Sequence, residues 1–377
     1  MKTADTIGIY IHIPFCRSKC PYCDFHSALA PKAIQQQYLT ALLDEIRTQR
    51  RAASFLTASL PPVASVYIGG GTPSYFGGER IAQILYAIQE NYTLTDDAEV
   101  TVEVNPDSAS EDFFRAIYAA GANRISLGLQ SAVDSERRAL GRLSGAAAAT
   151  RAVAMARETG FRNLSLDLMC GIPQQTAESL QKSIDFCLLQ QVEHISAYLL
   201  QIEENTPFYR RREKLSLPDE DAQCALYRQL CEQLRQNGYR HYEISNFAKL
   251  GFESRHNLNY WRCGEYLGIG AAAHSFLFGK RFYYLPDTAG FIAGNAPVFD
   301  DAGGGEEEYI MLALRTEAGL NFADFEKRFR HPVPPALLRT AKQKIPPGDI
   351  LLDETHLALT EAGFLLSNQI IAALLFS

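Results

Sequence analysis

The sequence predicts an α/β protein whose parallel sheet curls into a full or partial barrel, followed by a small winged-helix-like domain. Three observations carry this. Six strand-like segments alternate with six helix-like ones over the first two-thirds of the 377 residues, and βα units in series build a parallel sheet. Polar residues gather at the C-terminal ends of four of those strands: residues 69–72, Glu103 with Asn105, Gln130, and Asp167. In a barrel such ends converge on one mouth, where ligands bind; spacing alone would suit a doubly wound sheet equally. Finally, a compact tail after residue 305 holds short helices around two strands or a wing.

The strands are expected at 7–13, 65–68, 99–104, 124–129, 163–169 and 194–200, rich in Val, Ile, Leu and Tyr and mostly closing on Gly, Pro or Asn. Helical patterns fall at 34–53, 79–91, 110–120, 145–159, 178–190 and 219–237. Ser108 and Ser110 ahead of Glu111 and Asp112 mark one N-terminus, while Gly121, Gly160 and Gly238 mark stops. From 239 to 297 the pattern is irregular and aromatic-rich, and 300–305, acidic and glycine-rich, reads as a linker. The tail reads as helices at 307–315, 322–329 and 336–344, then two short strands or a wing within 350–359 ahead of 360–364. Its expected role is to lid or support the barrel. The predicted division is thus 1–238, 239–304 and 305–377.

Composition narrows the function classes. Hydrophobic content of 47% and charged content of 21% are those of an ordinary globular protein. A net charge of −7 leaves no basic field for nucleic acid, and the run Arg210, Arg211, Arg212 reads as a solvated face. No apolar stretch approaches the roughly 20 residues of a membrane span; the longest, 370–376, is too short. Residues 1–13 carry one early Lys and enter a strand directly, so no signal peptide is expected, and a cytoplasmic location with reduced thiols follows. Eight cysteines are too sparse for a disulfide scaffold, so clustered ones read as metal ligands or catalysts.

The cluster is Cys16-x-x-x-Cys20-x-x-Cys23, on the loop that leaves the first strand. Three thiolates can ligate three irons of a [4Fe–4S] cube, which ordinarily takes four cysteines. The fourth iron is then free to chelate an amine and a carboxylate. Two other readings of these residues are a zinc site with His26 as fourth ligand and a redox dithiol of Cys20 and Cys23.

This motif after the first strand of a βα array resembles the radical S-adenosylmethionine superfamily, in motif order to about residue 300. The resemblance implies a partial (β/α)6 TIM-like barrel, a [4Fe–4S] cluster on Cys16, Cys20 and Cys23, and S-adenosylmethionine at the open iron, cleaved homolytically after one-electron transfer. It implies cofactor contacts from Gly70, Gly71 and Thr72 within Gly69-Gly70-Gly71-Thr72-Pro73-Ser74. Glycines suit a backbone that must approach a ligand closely, and no Gly-Lys-Ser/Thr follows to make this a phosphate loop. Glu103 is implied at the ribose or amine, and Gln130, Arg142 and Asp167 at further contacts, Arg142 being suited to a carboxylate. Tyr10 and Tyr22 are expected to flank the cluster. Each of these side chains also has a plain structural reading.

Two features select a branch. Phe25 stands where the oxygen-independent coproporphyrinogen III dehydrogenases carry an additional cysteine. His256-Asn257-Leu258-Asn259-Tyr260-Trp261 holds the chain's one tryptophan. With Tyr242-Glu243-Ile244-Ser245-Asn246-Phe247 before it and Gly268-Ile269-Gly270-Ala271-Ala272-Ala273-His274-Ser275 after it, it is similar to the HemW heme chaperones. That likeness implies heme as a third cofactor or cargo and apo-hemoprotein clients, membrane-bound respiratory ones among them, as partners. It leaves open both the pairing of chains into a homodimer and any enzymatic turnover. His256 is the expected axial ligand, with Tyr260 and Trp261 offering flat faces. The other reading is a turn in which Asn257 and Asn259 bond the backbone and Trp261 fills core. His274, after a run of small residues that permits close approach, is a second candidate ligand. Cys170, Cys187, Cys224, Cys231 and Cys263 are expected to be ordinary buried residues, with Cys263 alone near the heme region. The alternative function is radical decarboxylation of the propionates of coproporphyrinogen III, or another radical reaction.

Overall fold

Alternation with period two decides the architecture. In β1 (Ile7–Ile13), Ile7, Ile9, Ile11 and Ile13 are fully buried on one face, while Gly8, Tyr10 and His12 point to the other. The computed structural model of the chain describes residues 5–142 and 145–376, so the reading of residues 1–4 lies outside it. The same alternation recurs in β2 (Val63–Gly70), β3 (Leu94–Val104), β4 (Arg124–Gln130), β5 (Asn163–Cys170) and β6 (His194–Leu199). Val66, Ile68, Val102, Ile125, Leu127, Leu164, Leu166 and Ile195 form the outer apolar row. The parallel registers line up the other row as Tyr10, Tyr67, Thr101 and Arg124, and as Glu103, Ser126, Ser165 and His194. The concave interior is therefore polar, and the apolar packing lies outside, under helices.

Those helices are Lys32–Thr48, Gly78–Asn91, Glu111–Ala119, Ala146–Thr159, Ala177–Leu189 and Glu220–Gln236, close to the six predicted. The Ser110 hydroxyl accepts from Phe113 N at 3.1 Å, as an N-cap does. Ser108 caps nothing; its hydroxyl meets that of Ser74 at 2.6 Å. Gly121, Gly160 and Gly238 all lie just past helix ends with positive φ.

The stretch expected to be irregular instead forms β7 (Arg240–Glu243), β8 (Asn246–Ala248), β9 (Tyr266–Ile269), β10 (His274–Leu277) and β11 (Lys280–Tyr283), with β12 (Val298–Ala302) just after it. The whole sheet runs β12-β11-β10-β9-β1-β2-β3-β4-β5-β6-β8-β7. β9 pairs with β1 in parallel and β8 with β6 antiparallel, so β1 and β6 never meet and the barrel stays open. The linker reading of 300–305 is thereby corrected. Its first residues belong to β12, the sheet's outermost strand, whose four exposed positions show no alternation to read. Tyr239, Phe247, Leu267 and Ile269 share the main core, so this stretch packs as part of the same sheet.

The tail has the helix–strand order of a winged helix. Helix Glu306–Ala313 leads to β13 (Leu320–Asn321), helices Phe322–Phe329 and Pro335–Lys344, β14 (Ile350–Leu352), β15 (His356–Leu359), and helices Glu361–Leu365 and Ser367–Leu375. Its three strands form a separate sheet, β13-β15-β14, over a second core that includes Phe325, Leu337, Leu357 and Ile371. Backbone bonds Ile244 N to Arg315 O (2.9 Å) and Glu317 N to Tyr242 O (3.1 Å) fasten it to the first domain. The ion pairs Arg240–Glu317 and Arg281–Glu308 reinforce that joint. Among the described residues, no helix is long and apolar enough to cross a membrane.

Candidate metal and cofactor site

Cys16, Cys20 and Cys23 line one cavity of about 630 Å³ at the C-terminal ends of the parallel strands. All three are half-buried free thiols. The loop that carries them is pinned at both sides. Cys16 N donates to Ala28 O (3.1 Å) and Cys23 N to Cys20 O (3.1 Å), while Phe208 N donates to Pro21 O (2.9 Å). Its floor is the glycine run: Gly71 N and Thr72 N donate to Ile13 O and Phe15 O, each at 2.8 Å. A Cβ on Gly71 would sit 2.8 Å from Phe15 O and 2.9 Å from Ile13 O. This glycine is required by the chain's own backbone, beyond any need of a ligand. The Thr72 hydroxyl points at Cys16 Sγ (3.4 Å).

The same cavity is lined by Tyr22, Gly70, Gly71, Thr72, Glu103, Gln130, Arg142 and Asp167. Glu103 is held at both oxygens, by the Tyr67 hydroxyl (2.9 Å) and by Gly70 N (3.2 Å). Burial, with Asp167 adding charge nearby, pushes its carboxyl up to about 7. Asp167, also raised by burial, accepts from Ser126 Oγ at 2.9 Å. Gln130 sits at φ 70, next to a register shift between β4 and β5. A non-glycine residue at positive φ is uncommon outside turns and functional sites. Arg142 donates to the Tyr22 hydroxyl (3.1 Å), and its buried Nε finds no partner among the described residues.

That unpartnered Nε on a wall arginine is the observation that fits the pocket to an anionic ligand, since buried polar groups are otherwise paired. The thiols fit an iron–sulfur cube better than one ion. Thiolates about 2.3 Å from a zinc lie about 3.8 Å apart, and the described residues yield just one metal-ligand group within 4.8 Å, which is Cys231, His241 and Glu361. His26, the fourth ligand the zinc reading needs, lines a different cavity and bonds Thr288 Oγ1 at 3.1 Å.

Two expected site residues lie elsewhere. Tyr10 lines that neighbouring cavity, its hydroxyl on His12 Nδ1 (3.0 Å) and its ring stacked on Tyr67. His256 is 1% exposed. Its Nδ1 meets Ser65 Oγ and its Nε2 the Tyr260 hydroxyl, both at 2.8 Å. Burial pushes its pKa down to about 3. In this arrangement neither nitrogen is open to an iron, so the axial-ligand expectation is corrected: the ring is a buried strut. The Glu99 carboxylate beneath accepts from Arg255 N and His256 N (both 3.0 Å) at the start of helix Arg255–Trp261. Asn259 bonds Glu265 O (3.0 Å), in line with the turn reading. Tyr260 and Trp261 face different spaces, Tyr260 the neighbouring cavity and Trp261 a cleft against the tail domain. Cys224 is half-exposed, whereas Cys170, Cys187, Cys231 and Cys263 are buried as expected.

Tyr67, Ser126 and Tyr198 also line the cofactor cavity and were not anticipated. For two of them the signal was available, since Tyr67 shares strand parity with Gly69 and Ser126 with Gln130, whereas no expected residue on its strand pointed to Tyr198.

Comparison with known proteins matches residues 10–187 to the Radical SAM superfamily and 307–366 to the HemN C-terminal domain. The heme chaperone HemW of Mycobacterium tuberculosis is 37% identical over 386 aligned residues, 98% of this chain and 94% of that protein. That of Haemophilus influenzae is 42% identical over 302 residues, 78% of each. The solved structure of coproporphyrinogen III oxidase (HemN) from Escherichia coli, a radical SAM enzyme, superposes with a TM-score of 0.83 at 22% identity, over 99% of this chain and 91% of that one. At that identity the likeness establishes the fold alone.

Proposed function

The chain belongs to the HemW family within the radical S-adenosylmethionine superfamily, and from that premise we propose that it is a heme chaperone, binding heme and passing it to apo-hemoproteins. The observation that carries the reading is the near-complete alignment with a heme chaperone, which takes in both domains at once. In this reading Cys16, Cys20 and Cys23 hold three irons of a [4Fe–4S] cluster, and S-adenosylmethionine occupies the rest of the cavity. When bound, the cluster supplies one electron at a time. Arg142, on the cavity wall, offers its guanidinium to the methionine carboxylate. Glu103, steadied by Tyr67 and Gly70, offers an acceptor to the amine or ribose, with Gln130 and Asp167 on the same wall. Phe25, 69% exposed, lines the cavity with an apolar ring where the related dehydrogenases carry a thiol.

We place the protein in the cytoplasm, where thiols stay reduced, with membrane-bound respiratory hemoproteins among its clients and pairing of two chains as its assembly. Light scattering of the reconstituted protein checks the last point, a monomer mass overturning it. The function is tested by titrating the anaerobically reconstituted full chain with hemin: a stoichiometric Soret band, then transfer to an apo-hemoprotein, is expected. A chain that takes up no heme overturns the proposal. Incubation with coproporphyrinogen III, S-adenosylmethionine and a reductant should release no carbon dioxide above control; turnover there would favour the dehydrogenase.

A further inference from the structure

Beside the cofactor cavity lies a second space of about 450 Å³, within the roughly 300–1,000 Å³ of small-molecule sites. Its wall continues the cluster loop, because Asp24, Phe25 and His26 follow Cys23 directly, and Phe25 lines both spaces. Tyr10, Tyr260 and Tyr266 give it flat apolar sides, the last two rings meeting edge to face at 4.5 Å. A broad aromatic slot of this kind suits a planar macrocycle.

Three imidazoles reach the space: His12 is hydrogen-bonded at both ring nitrogens and His26 at one. His12 has Nδ1 on the Tyr10 hydroxyl (3.0 Å) and Nε2 on His26 O (2.9 Å). His26 has Nε2 on Thr288 Oγ1 (3.1 Å). His274 differs. No hydrogen bond engages either of its ring nitrogens among the described residues; the exposed ring is steadied by stacking on Tyr283, at 4.8 Å and 12°. The small-residue run before it is what brings it there. A Cβ on Gly268 would lie 2.0 Å from His274 O, so only glycine lets β9 and β10 turn this tightly.

We propose that heme sits in this slot with His274 as its axial ligand, the macrocycle lying against Phe25, Tyr260 and Tyr266. The assignment rests on the heme-chaperone reading and names the site within it. The competing space is larger, the cleft of about 1250 Å³ against the tail domain, and it carries Arg262, Lys327 and Arg330 but no histidine. Cys263 also lines both spaces, and burial pushes its thiol up to about 11, which disfavours the thiolate form. Placed in the slot, heme shares Phe25 with the cofactor cavity. Its wall residue Tyr260 is tied through His256 and Tyr67 to Glu103. His256 then acts as a positioning residue, reaching the heme through Tyr260.

The test is hemin titration of the anaerobically reconstituted full chain, followed by absorbance and resonance Raman, for wild type, His274→Ala and His274→Met. His274→Ala is expected to weaken hemin at least tenfold and abolish the wild-type axial-ligand signature. His274→Met should retain hemin with a changed iron–ligand spectrum, which a merely structural histidine would not produce. If His274→Ala binds with wild-type stoichiometry, affinity and spectrum, the site assignment falls while the chaperone function stands. If wild type binds no hemin at all, both fall together.

Discussion

Replacing His256 with alanine separates a strut from a ligand. The ring makes two buried hydrogen bonds of 2.8 Å, to Ser65 Oγ and the Tyr260 hydroxyl, each worth about 1 kcal/mol net. It also stacks on Tyr67 at 5.2 Å, adding about 0.5–1.5 kcal/mol, and its loss leaves two buried hydroxyls to find new partners at about 1 kcal/mol or more. The expected cost is therefore about 3–5 kcal/mol, in the upper range for one substitution. The acid limb gives an independent sign. A folded pKa of about 3 against the ordinary 6.5 means that the unfolded chain takes up the proton first. The wild type then loses stability as pH falls from 6.5 toward 3, at up to about 1.4 kcal/mol per unit from this residue. The alanine variant has no such group, so the gap between the two should narrow by about 2 kcal/mol between pH 6.5 and 5. Urea midpoints on reconstituted protein at the two pH values measure both quantities. An unchanged midpoint with hemin binding abolished would refute the strut and restore the ligand. A gap of constant size would refute the buried neutral ring.

Other outcomes follow from the cofactor wall. Gly71→Ala, whose Cβ would meet Phe15 O at 2.8 Å, should cost about 1–3 kcal/mol and lower iron per chain by displacing the loop of the three thiols; iron analysis with thermal melts checks this. S-adenosylmethionine affinity should weaken as pH drops below about 7, where Glu103 protonates, and calorimetry of Glu103→Gln should show weaker binding with that pH dependence gone. Arg142→Met should cost S-adenosylmethionine about 1.5–3 kcal/mol of binding while the cluster spectrum is unchanged. Affinity equal to wild type would mean that the free Nε faces no carboxylate.

The legible part of the fold was whatever repeats along the chain. β1 could be bounded to the residue because isoleucine recurs at every second position, and the three thiols announced themselves by spacing. The flanking strands were illegible for the opposite reason. β7 to β12 are three to five residues each, too short for a period, and β9 finds its partner β1 some 250 residues away, a pairing no local pattern encodes. Depth was equally hidden. Parity says that Tyr10 faces inward, but not that it opens on a second cavity. His256 and Tyr260, however, stand four apart in a helix, the spacing at which side chains meet. Their mutual hydrogen bond was open to a sequence reading that considered the helix before the heme.

The seat of β1 bears on how the protein is made. The strand that delivers the cysteine loop is synthesised well before β9, yet it lies inside the sheet, between β2 and β9. Until residues 266–269 emerge, one side of it has no partner and its amide and carbonyl groups are an unfinished edge. At 5–20 residues per second, the interval between completing β2 and supplying β9 is roughly 10–40 s. For that time the three thiols hang from a strand that is half paired, so a loop rigid enough to hold a cluster exists only late in translation, and metal loading is expected to follow chain completion.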